Sequence, residues 1–95
     1  MAPNNVIDFE FRGVKFKLCQ RAAHSVKVQK FLTLGDVAGM QQKFYWAVDQ
    51  IFCGKFDEYL DMIPAEDGSV SELGASDEDF AAFMATALDA LNAKN

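Results

Sequence analysis

The spacing of hydrophobic and polar residues changes along the chain, and each spacing predicts a different element. Over residues 6–18 apolar and charged residues alternate, which places every second side chain on one face. Arg12 and Gly13 separate the two alternating runs, and glycine supplies the positive φ that a two-residue hairpin turn requires. Arginine is less usual than asparagine at the first turn position, so a slightly longer turn also fits. The pattern predicts a β-hairpin whose apolar face packs on other elements.

From residue 36 onward the apolar spacing becomes three and four, which is typical of an amphipathic helix. Asp36 is the predicted N-cap, because its carboxylate can accept hydrogen bonds from the first free amides. Gly54 is the predicted C′ residue, since glycine takes the left-handed conformation without steric cost. We interpret this stretch as the central helix, with this apolar stripe: Val37, Met40, Phe44, Val48 and Ile51.

Residues 19–35, between these two regions, allow two interpretations. A helix over Val26–Leu34, capped by Ser25, would direct Val28 inward, whereas the alternation of Val26 and Val28 also fits an extended segment. We favour the helix. His24 precedes this segment and is expected to be exposed or loosely capping.

Two further helices are predicted after Gly54. Residues 55–63 place Phe56, Tyr59, Leu60 and Ile63 on one side, and Pro64 ends this short helix. A polar loop over Pro64–Ala75 leads to the last helix, which Ser76 caps and three acidic residues open. Its apolar stripe is expected to pack against the central helix: Phe80, Phe83, Met84, Ala87, Leu88 and Leu91.

Together these elements predict an α+β fold that is mostly α, with an N-terminal β-hairpin packed on a small bundle of three to four helices. We expect residues 1–95 to form a single domain, with residues 1–5 and 92–95 frayed.

The charge is strongly divided along the chain. The net charge is −5, yet residues 1–35 carry +4 and residues 36–95 carry −9. The acidic residues 36–95 argue against nonspecific nucleic-acid binding, because negative charge repels phosphates. The division could favour head-to-tail self-association or a partner of complementary charge, although solvated surface charges would give the same pattern.

The sequence lacks the residue patterns of an enzyme or a metal protein. His24 is the single histidine, and it does not lie at a zinc spacing from Cys19 or Cys53. Glycine-rich phosphate loops and nucleophile elbows are also missing. We therefore predict no catalytic, cofactor-binding or metal-binding residues. The N-terminus has no signal-peptide pattern and no apolar run approaches a membrane span, so reduced thiols in a cytoplasm are expected.

The order of these features resembles the small tail assembly chaperones of long-tailed, siphovirus-type phages that infect actinobacteria. The resemblance covers about Val6 to Leu91 and rests on layout rather than on a diagnostic motif. It includes the hairpin pattern at Phe9–Leu18, a middle helix that ends near a glycine, the short helix at Phe56–Leu60, and the capped start at Ser76–Phe80 followed by an amphipathic helix.

The resemblance implies a non-enzymatic protein that binds the long, aggregation-prone tape measure protein and helps to recruit tail tube protein. It also implies action in the host cytoplasm, absence from the mature virion, and a longer second product made by ribosomal frameshifting. A chaperone needs apolar contact surface, and aromatic residues contribute most per contact. Our partner-binding or self-association candidates are therefore Tyr45, Trp46, Phe52 and Tyr59, the first three of which lie off the apolar stripe. Burial of the central helix on more than one side would also explain those three.

Four other functions compete with this interpretation. A small acidic phage regulatory or inhibitory protein that binds a host protein is the main alternative. A structural virion protein and direct DNA binding through the basic N-terminal third are both less favoured. An enzyme is the least favoured, since neither a helix-turn-helix pattern nor a catalytic motif is present.

Overall fold

The chain opens with the antiparallel hairpin that the alternating pattern predicts. The structure is a computed structural model that describes residues 6–93, in which β1 (Val6–Phe11) pairs with β2 (Val14–Cys19) so that Phe9 lies opposite Phe16. Arg12 and Gly13 take φ values of 51° and 86°, the left-handed conformations that a two-residue type I′ turn requires. The turn therefore has two residues, and the longer alternative is wrong.

Within residues 6–93 five helices follow the hairpin. They are α1 (Gln20–Ala23), α2 (Val26–Leu32), α3 (Gln41–Ile51), α4 (Phe56–Leu60) and α5 (Asp77–Ala93). About half of residues 6–93 are helical, so the predicted α+β class, mostly α, is confirmed. The single turn α1 is an addition that the sequence pattern did not predict.

The core lies where the apolar face of the hairpin meets α5 and the end of α3. Phe83 of α5 is fully buried, and its ring centroid lies 5.5 Å from that of Phe9 and 4.8 Å from that of Phe16. Phe52, just past the end of α3, stacks on Phe83 at 5.5 Å. The expectation that α5 packs chiefly against the central helix is wrong, because its main partner is β1. Leu88, on the predicted stripe, is exposed.

The start of α3 lies later than the sequence predicts. Asp36 is not its N-cap; residues 33–39 form turns, and α3 begins at Gln41 after Met40. Gly39 has a φ of 81°, a left-handed conformation that interrupts a right-handed helix. Val37 and Met40, expected in the core stripe, consequently lie outside the helix and are exposed.

The end of α3 is a Schellman motif shifted by one residue from the prediction. Cys53 occupies C′ with a φ of 61°, and its N–H donates to the carbonyl of Gln50. Gly54 is left-handed as expected, but it lies at C″, where its N–H donates to the carbonyl of Asp49 at 2.7 Å. Cys53 therefore occupies the left-handed C′ position predicted for glycine, where a residue with a side chain is strained.

The predicted caps of the other helices are confirmed. The Ser25 hydroxyl accepts from the Val28 N–H at 3.3 Å, although α2 ends at Leu32 rather than Leu34. At the start of α5 the Ser76 hydroxyl accepts from the Asp79 N–H at 3.2 Å and donates to its carboxylate at 3.1 Å.

The predicted frayed ends have two outcomes. Residues 1–5 and 94–95 lie outside the described part of the chain, so the prediction for them stays untested. Residues 92 and 93 were also expected to fray, but they still belong to α5.

Candidate functional site

Two of the four candidate contact residues are core residues in the structure. Phe52 is 0% exposed and Tyr59 is 5% exposed. The Tyr59 hydroxyl accepts a hydrogen bond from the Lys17 N–H at 3.0 Å, so its polar end is satisfied inside the fold. Neither side chain can contribute to an outer contact surface while the protein stays folded.

The other two candidates lie at the surface of α3. Tyr45 is 55% exposed and Trp46 is 39% exposed, whereas the next two residues, Ala47 and Val48, are buried. One helix turn holds 3.6 residues, so Tyr45 and Trp46 point about 100° apart around the helix axis. They therefore belong to two different surfaces, one on each flank of α3.

The first surface joins α2 to α3, and we name it the basic aromatic patch: Lys27, Phe31, Lys43 and Trp46. The rings of Phe31 and Trp46 meet edge to face at 5.7 Å. The Lys27 ammonium lies 5.0 Å from the Trp46 ring centroid, and the Lys43 ammonium lies 5.4 Å from that of Phe31. These cation–π contacts hold two cations against an aromatic pair at the surface.

The second surface is a groove between α3, α4 and the start of α5. It encloses about 430 Å³, and its apolar lining includes Tyr45, Phe56, Leu60 and Phe80. The acidic side chains in its lining are Asp61, Glu72 and Asp77. Leu73 also lines the groove and is 97% exposed, an unusual position for a leucine. We name this surface the acidic groove.

The two surfaces carry opposite charge. Within residues 6–93 neither Lys27 nor Lys43 forms a salt bridge, and the three carboxylates of the acidic groove form none either. The lining of the acidic groove contains no lysine or arginine. Each surface therefore presents unneutralised charge beside apolar side chains, which suits a partner of the opposite charge.

One polar contact that the sequence did not predict holds the hairpin turn against α5. The guanidinium of Arg12 donates to the Asp79 carboxylate at 2.7 Å and to the Pro64 carbonyl at 3.0 Å. The hydrogen bond from Arg12 lowers the pKa of Asp79 below its ordinary value of 3.8. The contact joins residues 67 positions apart, so no local spacing could have indicated it.

The two cysteines line a small cleft of about 250 Å³ with Gln50 and Gly54. They are not joined by a disulfide bond. Burial raises the pKa of the Cys53 thiol above its ordinary value of 9.0, with a smaller contribution from the nearby Cys19. A thiol with a raised pKa is a poor nucleophile at neutral pH, so Cys53 is not an activated cysteine.

The described residues contain no cluster of histidine, cysteine and acidic side chains that could hold a metal ion. His24 is exposed, as expected, and its backbone N–H closes α1. In residues 6–93 no helix has both the length and the apolar character that crossing a membrane demands. The two charged, apolar surfaces on α3 are the candidate contact sites.

Comparisons of the chain with protein-family models, with curated proteins and with solved structures find no match.

Proposed function

We propose that this protein is a non-enzymatic tail assembly chaperone of a long-tailed phage, which binds and solubilises the tape measure protein during tail morphogenesis. The observation that carries the proposal is the exposure of Trp46 and Tyr45 on α3. Exposed aromatic side chains beside apolar neighbours are typical of protein contact surfaces.

The charge of the protein supports this role. A chaperone must cover apolar segments of its client and keep the resulting complex in solution. The net charge of −5 opposes aggregation of such a complex, while the aromatic side chains supply contact area at low entropic cost. The resemblance in the order of elements points to the tape measure protein as the client and to tail tube protein as a second partner.

The cellular setting follows from the same proposal. The protein acts in the host cytoplasm and leaves the assembly before the virion is complete. Its gene also yields a longer product by frameshifting. A slippery sequence near the codons for Met84 to Asn95, an overlapping frame and a long helical reading frame downstream would support this assignment. A single product and no such neighbour would contradict it.

The direct test is co-expression with the tape measure protein of the same phage. Wild-type protein should keep the client in the soluble fraction and co-purify with it, whereas Trp46→Ala should lose most of that effect. Leu88→Ala is the matched control, because Leu88 is 55% exposed, like Tyr45, but lies on α5 outside both surfaces. Circular dichroism must show that each variant is folded. Equal solubilisation by Trp46→Ala, Tyr45→Ala and wild type would exclude both surfaces as the client-binding site.

A second candidate function is a small acidic regulatory protein that binds a host protein. It is favoured by the concentration of acidic side chains around the acidic groove and the loop before α5, where Glu66, Asp67, Glu72 and Asp77 are all exposed. Under this function the tagged protein would retain one stoichiometric host protein from uninfected cells. Glu72→Lys would release that protein, and co-expression would leave the tape measure protein insoluble.

A further inference from the structure

We propose that copies of this chain associate head to tail, with the basic aromatic patch of one copy seated in the acidic groove of the next. The occupant of each surface is thus a second copy of the same chain. The inference concerns the protein alone and does not depend on the identity of its client.

Charge complementarity is the first argument. The basic aromatic patch presents two ammonium groups, from Lys27 and Lys43, and the acidic groove presents three carboxylates without a lysine or arginine in its lining. Opposite charges on two surfaces of one chain attract copies to one another, and like charges disfavour the pairing of either surface with itself. Every copy therefore carries both a basic surface and the acidic surface that such a basic surface would bind.

The apolar side chains are the second argument. Trp46 on the basic aromatic patch is 39% exposed, and at the acidic groove Tyr45 and Leu73 are 55% and 97% exposed. Seating the indole of Trp46 in the acidic groove would remove all three side chains from water. Aromatic anchors that fill a pocket surrounded by polar groups are the usual energetic centre of an interface.

The geometry of α3 fixes the type of assembly. Tyr45 borders the acidic groove and Trp46 belongs to the basic aromatic patch, so the two surfaces lie on neighbouring flanks of one helix, about 100° apart around its axis. Because the two surfaces diverge by this angle, we infer that a copy that seats its basic aromatic patch in one neighbour directs its acidic groove toward another. The contact is heterologous and continues into a ring or a filament.

The first measurement is sedimentation velocity of the purified wild-type chain at several protein and salt concentrations. We expect species larger than a dimer at low salt, and their dissociation as salt screens the charges. A chain that stays monomeric up to roughly 1 mM at low salt would overturn the inference.

Complementary variants give the sharper test. One double variant, Lys27→Glu with Lys43→Glu, reverses the charge of the basic aromatic patch alone. A second double variant, Asp61→Lys with Glu72→Lys, reverses the charge at two positions of the acidic groove alone. Each variant alone should associate at least about tenfold more weakly than wild type. An equimolar mixture should associate again into alternating species, because the two intact surfaces pair as in wild type and the two charge-reversed surfaces are complementary to each other.

A chain carrying all four substitutions should associate again, since its patch is then acidic and its groove basic. Two controls, Lys55→Glu and Asp89→Lys, each carry one substitution of the same kind at an exposed position outside both surfaces, and they should associate like wild type. Failure of the two variants to pair in the mixture would overturn the head-to-tail arrangement, as would equal weakening by the controls.

Discussion

Replacing Phe83 by alanine should destabilise the fold more than any other single truncation. Its side chain is 0% exposed, and its ring centroid lies between 4.8 and 5.6 Å from those of Phe9, Phe11, Phe16 and Phe52. Phenylalanine-to-alanine changes in cores cost about 3–5 kcal/mol of unfolding free energy. Because this ring joins the hairpin, α5 and the end of α3, we expect the upper end, about 5 kcal/mol.

Urea unfolding followed by far-ultraviolet circular dichroism measures this loss. For a domain of this size about 1 kcal/mol lowers Tm by roughly 4–8 °C, so Phe83→Ala should lower Tm by at least about 20 °C. Total stabilities are about 5–15 kcal/mol, so a loss of about 5 kcal/mol leaves Phe83→Ala partly unfolded if the wild type lies at the lower end of this range. Phe83→Leu is therefore the milder probe and should show an intermediate loss. Leu88→Ala on the same helix is the control, with an expected loss below about 1 kcal/mol because Leu88 is 55% exposed. A loss below about 2 kcal/mol for Phe83→Ala, or one equal to the control, would refute this description of the core.

Three further predictions concern the turns and titrating groups. The hydrogen bond from Arg12 lowers the pKa of Asp79, so this carboxylate stabilises the fold above pH 3.8 and loses its contribution as the pH falls through the lowered value. Asp79→Asn should therefore make stability less dependent on pH in this acidic range. An unchanged acid-unfolding curve would contradict the contact. Gly54→Ala should lower the free energy of unfolding in urea by about 1 kcal/mol. The φ of Gly54 is 76° and no atom lies within 4 Å of the added Cβ, so the loss would come from backbone strain rather than from a clash. A neutral effect would exclude this strain. In a Cys19→Ser variant the Cys53 thiol should react with an alkylating dye at a half-maximal rate only above pH 9.0, and fast labelling at neutral pH would show that the thiol is not buried.

The elements that could be predicted from the sequence are those with strong local signals. The hairpin turn at Arg12 and Gly13 depends on residues close to one another in sequence, and so does the helix cap at Ser76. The local sequence therefore predicts both features. The same holds for the burial of Phe56 and Tyr59 on one side of α4. Local chemistry and the final structure agree at these positions.

The errors occur where residues distant in sequence, or the backbone, decide the outcome. Asp36 has the chemistry of an N-cap, but the left-handed Gly39 delays the start of α3 to Gln41. Phe52 lies off the apolar stripe of a continuous helix, yet it follows the last helical residue and turns inward to stack on Phe83. No periodicity within one helix can indicate such a contact between elements.

The two halves of α3 differ in burial. Its second half and the residue after it, including Ala47, Val48 and Phe52, are buried, and Val48 and Phe52 join the core cluster. Its first half exposes Tyr45 and Trp46 and borders both the basic aromatic patch and the acidic groove. A rigid core at one end of the helix therefore fixes the orientation of contact residues at the other, which lowers the entropic cost of binding. If both proposals hold, client and neighbouring copy use the same flanks of this first half. A bound client would then exclude the neighbouring copy, and self-association would cover these surfaces until a client is present.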